Sequence, residues 1–275
     1  MYLTIDVGGT KTLLATFSEA GEIIERFKFP TPKSYVDFIA ELKVSVENIC
    51  GGETPVSCSM ALPASIDREK GIAEYFGNLD WSNVPIADDL KDTLKCPLYL
   101  ENDAKLAGLA EAYELKDKYK RVLYVTVSTG IGLGLVVDGK IDYSVHDAGG
   151  RGMLMEHDGK LMAWEEFASG KAIVAQIGKI ASEITDEKDW YFVARNIAVG
   201  LIDLIVTLSP EAIVIGGGVG GHLHKFKSHL DAELEIYRSK MITKLPEITE
   251  AKHPEEAVVY GGYLLCKQHE STRTS

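Results

Sequence analysis

The sequence predicts a mixed α/β protein of two similar lobes, and three observations predict it. Short apolar runs bounded by turn residues alternate with amphipathic stretches of helical period. The succession β-β-β-α-β-α occurs twice, from Tyr2 and again from Arg121. The first hairpin of each half carries a glycine-rich turn, Asp6-Val7-Gly8-Gly9-Thr10-Lys11-Thr12 and Ser128-Thr129-Gly130-Ile131-Gly132-Leu133-Gly134. A chain of 275 residues can bury a large core in one or two domains.

Three strands open the chain, at 2–6, 12–17 and 22–29, the last two joined at Glu19-Ala20-Gly21. An amphipathic helix follows at 34–49, then a buried strand at 55–60. Residues 62–96 read mostly as loops, with a short helix near 86–94. The strand 97–100 runs into Glu101-Asn102-Asp103, where a helix begins. In the second half, strands at 121–128, 132–137 and 140–143 flank the glycine loop and the turn Asp138-Gly139, a strong hairpin signal. Helices near 161–183 and 187–208 precede the strand 212–216 and the turn Gly216-Gly217-Gly218. A helix near 221–239, a strand near 246–249 and a helix near 256–269 complete the pattern, and the polar tail 269–275 is expected to fray. No Pro/Ser-rich linker marks a boundary. The expected lobes are 1–108, with the C-terminal helix 257–275 packed back on it, and 109–256.

A formal charge of −12 argues against nucleic acid or an anionic membrane surface as partner. Met1 leads straight into a strand pattern, so no signal peptide is expected. The longest uncharged run, Val122–Val137, is too short to span a membrane. Cys50, Cys58, Cys96 and Cys266 form no CxxC pair, which fits a reducing, cytoplasmic location.

Asp103 carries the most chemistry. At a strand-to-helix junction the unpaired N–H groups and the helix dipole keep a carboxylate ionised, as a hydroxyl-orienting base requires. The competing reading is that Asn102 or Asp103 is simply the helix N-cap. The turns 6–12 and 128–134 suit backbone amides that cradle phosphate oxygens, unless they are ordinary tight hairpins. Asp6, ending the first strand, can hold Mg²⁺ directly or through water. Gly216-Gly217-Gly218 suits close approach by a flat group such as adenine. None of the three turns is a Walker or Rossmann motif.

Taken in order, DVGGTKT (6–12), LPASID (62–67), GNLDW (77–81), LENDA (100–104), STGIG (128–132), WEEFASG (164–170) and VIGGGV (214–219) resemble the ROK sugar kinases of the actin/hexokinase superfamily. The resemblance implies a two-lobed, actin-like (ribonuclease H-like) fold with its site in the cleft. It implies ATP-dependent transfer of the γ-phosphoryl group, with Mg²⁺, to a hydroxyl of a hexose or N-acetylhexosamine, the 6-hydroxyl foremost. Gly8, Gly9, Thr10, Thr129 and Gly130 would then meet ATP phosphates, and Gly217 and Gly218 the adenosine. Lys11 would meet a phosphate or lie on a solvated face. Asp103 would be the base, with Asn78, Asn102 and Glu165 as sugar contacts. Glu165 and Glu166 are helical neighbours about 100° apart, so only one can face a ligand. The family is often dimeric.

The chain also departs from that family. Its GExGH segment corresponds to Gly149-Gly150-Arg151-Gly152-Met153, so the Glu falls on Gly150 and the His on Met153. The zinc cysteines are missing, so no zinc site is expected. Glu156 and His157 read as a solvated turn beside Asp158-Gly159, or as replacements for the lost contacts. Met153 would suit a substituted or amino sugar. The rival readings are a catalytically weak sugar-binding regulator of the same fold and a chaperone-type ATPase of the superfamily. The N-D-A and W-E-E-F-A-S-G segments argue against the second.

Overall fold

A computed structural model describes residues 1–238, 244–253 and 256–273. The chain divides into two compact units, Met1–Ala110 with Glu255–Ser275, and Glu111–Pro254.

Unit one opens with an antiparallel meander of β1 (Tyr2–Val7), β2 (Lys11–Phe17) and β3 (Ile23–Pro30). Helix α1 (Tyr35–Cys50) begins where Ser34 Oγ accepts the Asp37 N–H and stops at Gly51, φ 57°. Its buried Phe38, Ile39, Leu42, Val46 and Ile49 recur at helical spacing and face the core. Strand β4 (Cys58–Leu62) lies parallel to β1 and is buried throughout, as a covered parallel strand must be. It begins later than the sequence predicts, because Pro55 has no N–H to give to a ladder.

The stretch read as loops contains a three-stranded sheet, β5 (Ala64–Asp67), β6 (Ile72–Phe76) and β7 (Ser82–Val84). Strands this short show too little alternation to be read. Helix α2 (Ile86–Leu94) leads to β8 (Leu98–Asn102), parallel to β4, and then α3 (Asp103–Glu114). The main sheet has the order β3-β2-β1-β4-β8.

Unit two repeats this plan with β9 (Arg121–Val127), β10 (Ile131–Val137) and β11 (Lys140–Asp142). A hairpin of β12 (Leu154–His157) and β13 (Lys160–Ala163) follows, then α4 (Trp164–Ala168), α5 (Gly170–Ile177) and α6 (Glu187–Leu208). The single helix expected over 161–183 is therefore broken. Extended backbone at Ser169 ends α4 while its Oγ accepts the Ala172 N–H to cap α5, and Gly178, φ 78°, ends α5. By length and composition α6 is apolar enough to cross a membrane, yet half of its most apolar window is buried in the unit's core. Strand β14 (Ala212–Gly216), α7 (Gly217–Gly220), α8 (Leu223–Ile236) and β15 (Glu247–Glu250) complete unit two. The helix expected to reach 239 ends at Ile236, and 239 lies outside the described residues.

The second sheet has the order β11-β10-β9-β14-β15, with β14 parallel to both β9 and β15. Order and strand directions match the first sheet. Helix α9 (Ala257–Arg273) returns to unit one, where it packs across β1 and β4. It runs through most of the tail expected to fray, and 274–275 lie outside the described residues.

Candidate active site

The junction of β8 and α3 separates the two roles left open for Asn102 and Asp103. Asn102 Oδ1 accepts the N–H groups of Ala104 (3.1 Å) and Lys105 (3.4 Å), so Asn102 is the cap. Its Nδ2 donates to the Ala64 carbonyl. Asp103, half-buried, is the first residue of α3, and its Oδ1 accepts the Ala104 N–H at 2.8 Å. Asp6 stands at the end of β1. Burial, and then the charge of Asp103, push its carboxyl up to about 7, against a weaker opposing effect of Lys28. Two carboxyl groups that sense each other suit a shared cation. Among the described residues, no three His, Cys, Asp or Glu side chains are gathered to hold a metal ion.

The β1–β2 turn is held from outside by Thr31, which sequence reasoning missed. Gly8 N–H donates to the Lys11 carbonyl at 3.0 Å. Thr31 Oγ1 donates to the Gly8 carbonyl at 2.8 Å and lies 2.9 Å from Thr12 Oγ1, while Thr31 N–H donates to the Thr10 carbonyl. A Cβ on Gly9 would lie 3.0 Å from Asn78 Cβ, so the turn and Asn78 are in contact. Thr10, Lys11 and Asn78 are exposed. Trp81 is buried instead: it packs on Phe38 and Phe76, and its Nε1 donates to the Lys33 carbonyl at 2.7 Å. It supports the loop from the core.

In unit two the glycine turn is tied to the α4–α5 break, where Gly170 N–H donates to the Ser128 carbonyl at 2.6 Å. Glu165 Oε2 accepts the Ile131 N–H at 3.3 Å, and its Oε1 lies 3.7 Å from Arg151 Nε. The Glu165 carboxylate thus links α4 to the first amide of β10. Glu166 turns away and accepts the Ala163 N–H at 2.7 Å, closing the first turn of α4. Beside Ser128 and Thr129 lies a cavity of about 470 Å³ walled by Val174, Ile180, Ala181, Val219, Gly218 and His222. Its size and apolar walls suit a flat heterocycle. Gly217 adopts φ 82°, and a Cβ on Gly218 would meet nothing within 4 Å. Burial, then Lys225 and His224, lower the pKa of His222.

Gly150 and Met153 mark a repacked segment rather than a stripped one. A Cβ on Gly150 would lie 2.8 Å from Ile131 Cβ and 3.4 Å from the Trp164 ring, so no larger residue fits without displacing the β10 end. Met153 is partly buried against the core of unit two. Glu156 and His157 end strand β12. Glu156 is exposed and accepts the Gly159 N–H, whereas His157 is only partly exposed and its ring stacks on Phe167 at 4.0 Å.

The ROK family model matches residues 2–269. A glucokinase from Halalkalibacterium halodurans is 25% identical over 98% of this chain and 96% of its own. An N-acetyl-D-glucosamine kinase from Haemophilus influenzae is 27% identical over 96% and 99%. A ROK family glucokinase from Streptomyces griseus, solved with glucose and AMPPNP, has a TM-score of 0.79 at 22% identity and covers 97% of this chain and 99% of its own. That likeness, with the same sheet order seen twice, assigns the actin-like α/β fold of two similar units.

Proposed function

The chain belongs to the ROK family, and from that premise we propose that it is an ATP-dependent sugar kinase. The observation that carries the reading is the division of labour at the β8–α3 junction. Asn102 Oδ1 reaches the second and third amides of α3 as its cap, while the half-buried carboxylate of Asp103 is anchored through Oδ1 on the Ala104 N–H at the helix start. In this reading Asp103 takes the proton of a sugar hydroxyl, foremost the 6-hydroxyl of a hexose or N-acetylhexosamine. A new P–O bond forms to that oxygen as the bond from the γ-phosphorus to its bridging oxygen breaks, and ADP leaves. The turns at Gly8-Gly9-Thr10 and Thr129-Gly130 hold the phosphates, and the cavity beside Gly218 takes the adenine. Magnesium, when bound, would supply charge neutralisation for the phosphates. Asp6 would hold it, directly or through water. Asn78, Asn102 and Glu165 contact the sugar.

An ADP-release screen over glucose, N-acetylmannosamine, N-acetylglucosamine, fructose, allose and β-glucosides tests the proposal. ATP turnover that rises with at least one sugar is expected. Sugar-independent or absent turnover across the panel would favour the second reading, a sugar-binding regulator with weak catalysis. That reading draws support from Gly150 and Met153, which offer no polar side chain where the family has Glu and His.

A further inference from the structure

We propose that Arg68 is a positioning residue for Asp103, acting through Glu101; this rests on the reading of Asp103 as the base. Neither residue stands out in the sequence, where they lie 33 positions apart. In the structure Arg68 occupies the turn after β5 and grips Glu101 at the end of β8 with two parallel bonds. Nε donates to Oε2 at 3.1 Å, and an Nη donates to Oε1. Arg68 also donates to the Ile66 carbonyl at 3.2 Å, which fixes its own place on the small sheet. Glu101 is 1% exposed. A forked guanidinium pairs the charge of the buried carboxylate and also fixes its plane.

The consequence reaches Asp103 in two steps. Glu101 Oε1 also accepts the Asn102 N–H at 2.7 Å. That bond sets the peptide from which Asn102 projects, and Asn102 Oδ1 in turn holds the first amides of α3. Asp103 lies inside this chain of contacts, so its carboxylate direction follows the Arg68–Glu101 plane. The same small sheet leads through β6 to Asn78, which touches Gly9. Arg68 therefore ties the base to the body that carries a candidate sugar contact and abuts a candidate phosphate turn. Arginine is needed here because lysine offers a point charge and no fork.

The test compares Arg68→Gln, Glu101→Gln and the double variant in the full-length protein. Each is followed by urea unfolding, by steady-state kinetics and by hydrogen exchange of the Ala104 and Lys105 amides. Arg68→Gln alone should lose both stability and kcat, because the buried Glu101 carboxylate loses its forked guanidinium. The double variant removes this ion pair whole, so its unfolding midpoint should return close to wild type. Its kcat should nevertheless stay low by about 10²-fold with KM for ATP unchanged, since a misplacement near 1 Å costs that much. The Ala104 and Lys105 amides should exchange faster in both Arg68 variants. A double variant whose kcat recovers with its stability would overturn the proposal and leave Arg68 purely structural. If the wild-type protein turns over no sugar, the kinase reading fails, and the exchange measurement still decides: unchanged protection at Ala104 and Lys105 in Arg68→Gln would refute positioning.

Discussion

Gly200 is where α6 lies against the Trp164 ring, and Gly200→Ala measures how tightly that contact is made. A Cβ there would sit 2.2 Å from Trp164 Cδ2 and Cε2 and 2.7 Å from Cζ2. Ordinary contact needs the ring to retreat by about 1.5 Å. Trp164 cannot do so freely: it is wholly buried, and its Nε1 donates to the Asn196 carbonyl at 3.1 Å. On an exposed helix the substitution would stabilise by about 1 kcal/mol through helix propensity. Overpacking a well-filled core costs about 1–3 kcal/mol. Two ring atoms at 2.2 Å place the cost at the upper end of that range, about 3 kcal/mol, so the clash wins and a net loss of about 2 kcal/mol is expected in urea unfolding with an unchanged m-value. Trp164 immediately precedes Glu165, so the retreat should also draw Glu165 from the Ile131 N–H and raise the sugar KM. Trp164→Phe should partly relieve the loss when combined with Gly200→Ala, a non-additive result expected only of residues in contact. A Gly200→Ala protein as stable as its parent would show that the packing argument is wrong.

Asp103→Asn keeps the size of the side chain but cannot take a proton, so kcat should fall by at least about 10²-fold with the unfolding curve unchanged; near-parental turnover would remove Asp103 from the mechanism. With Gly150 and Met153 in place of two polar groups, a substituted or amino sugar should be preferred over glucose. A kcat/KM for glucose ten times that for N-acetylmannosamine and a β-glucoside, about 1.4 kcal/mol, would refute this. Because burial lowers the pKa of His222, its ring carries less positive charge near neutrality than an exposed histidine would, and His222→Gln should leave the change in ADP affinity between pH 8 and 7, measured by calorimetry, as it is in the parent. A loss of affinity as pH falls from 8 to 7 that disappears in His222→Gln would contradict it.

The parts of this molecule that sequence reasoning reached are those encoded locally. Glycine runs between strand patterns announced the turns at Gly8-Gly9 and Gly130, and the abrupt change of period after Leu100 announced the junction at Asp103. The repeated meander was legible because Tyr2–Phe17 and Arg121–Val137 each hold two long apolar strands around such a turn. What escaped is pairwise and distant. Thr31 reaches Gly8 across 23 positions, and Arg68 reaches Glu101 across 33. Neither pairing leaves a periodic trace. The break at Ser169 was hidden because α4 and α5 are both apolar on one face, and only the cap geometry of a single serine separates them.

The return of α9 to unit one sets an order of events during synthesis. Unit two is contiguous, so all of its strands exist once the ribosome has passed residue 254. Unit one is not: β1 and β4 wait with one face uncovered until residues 257–273 emerge. The half made first is thus finished last. Through the intervening residues its apolar strands are exposed to chaperones and to neighbouring chains, and a truncation before Ala257 would leave that exposure permanent.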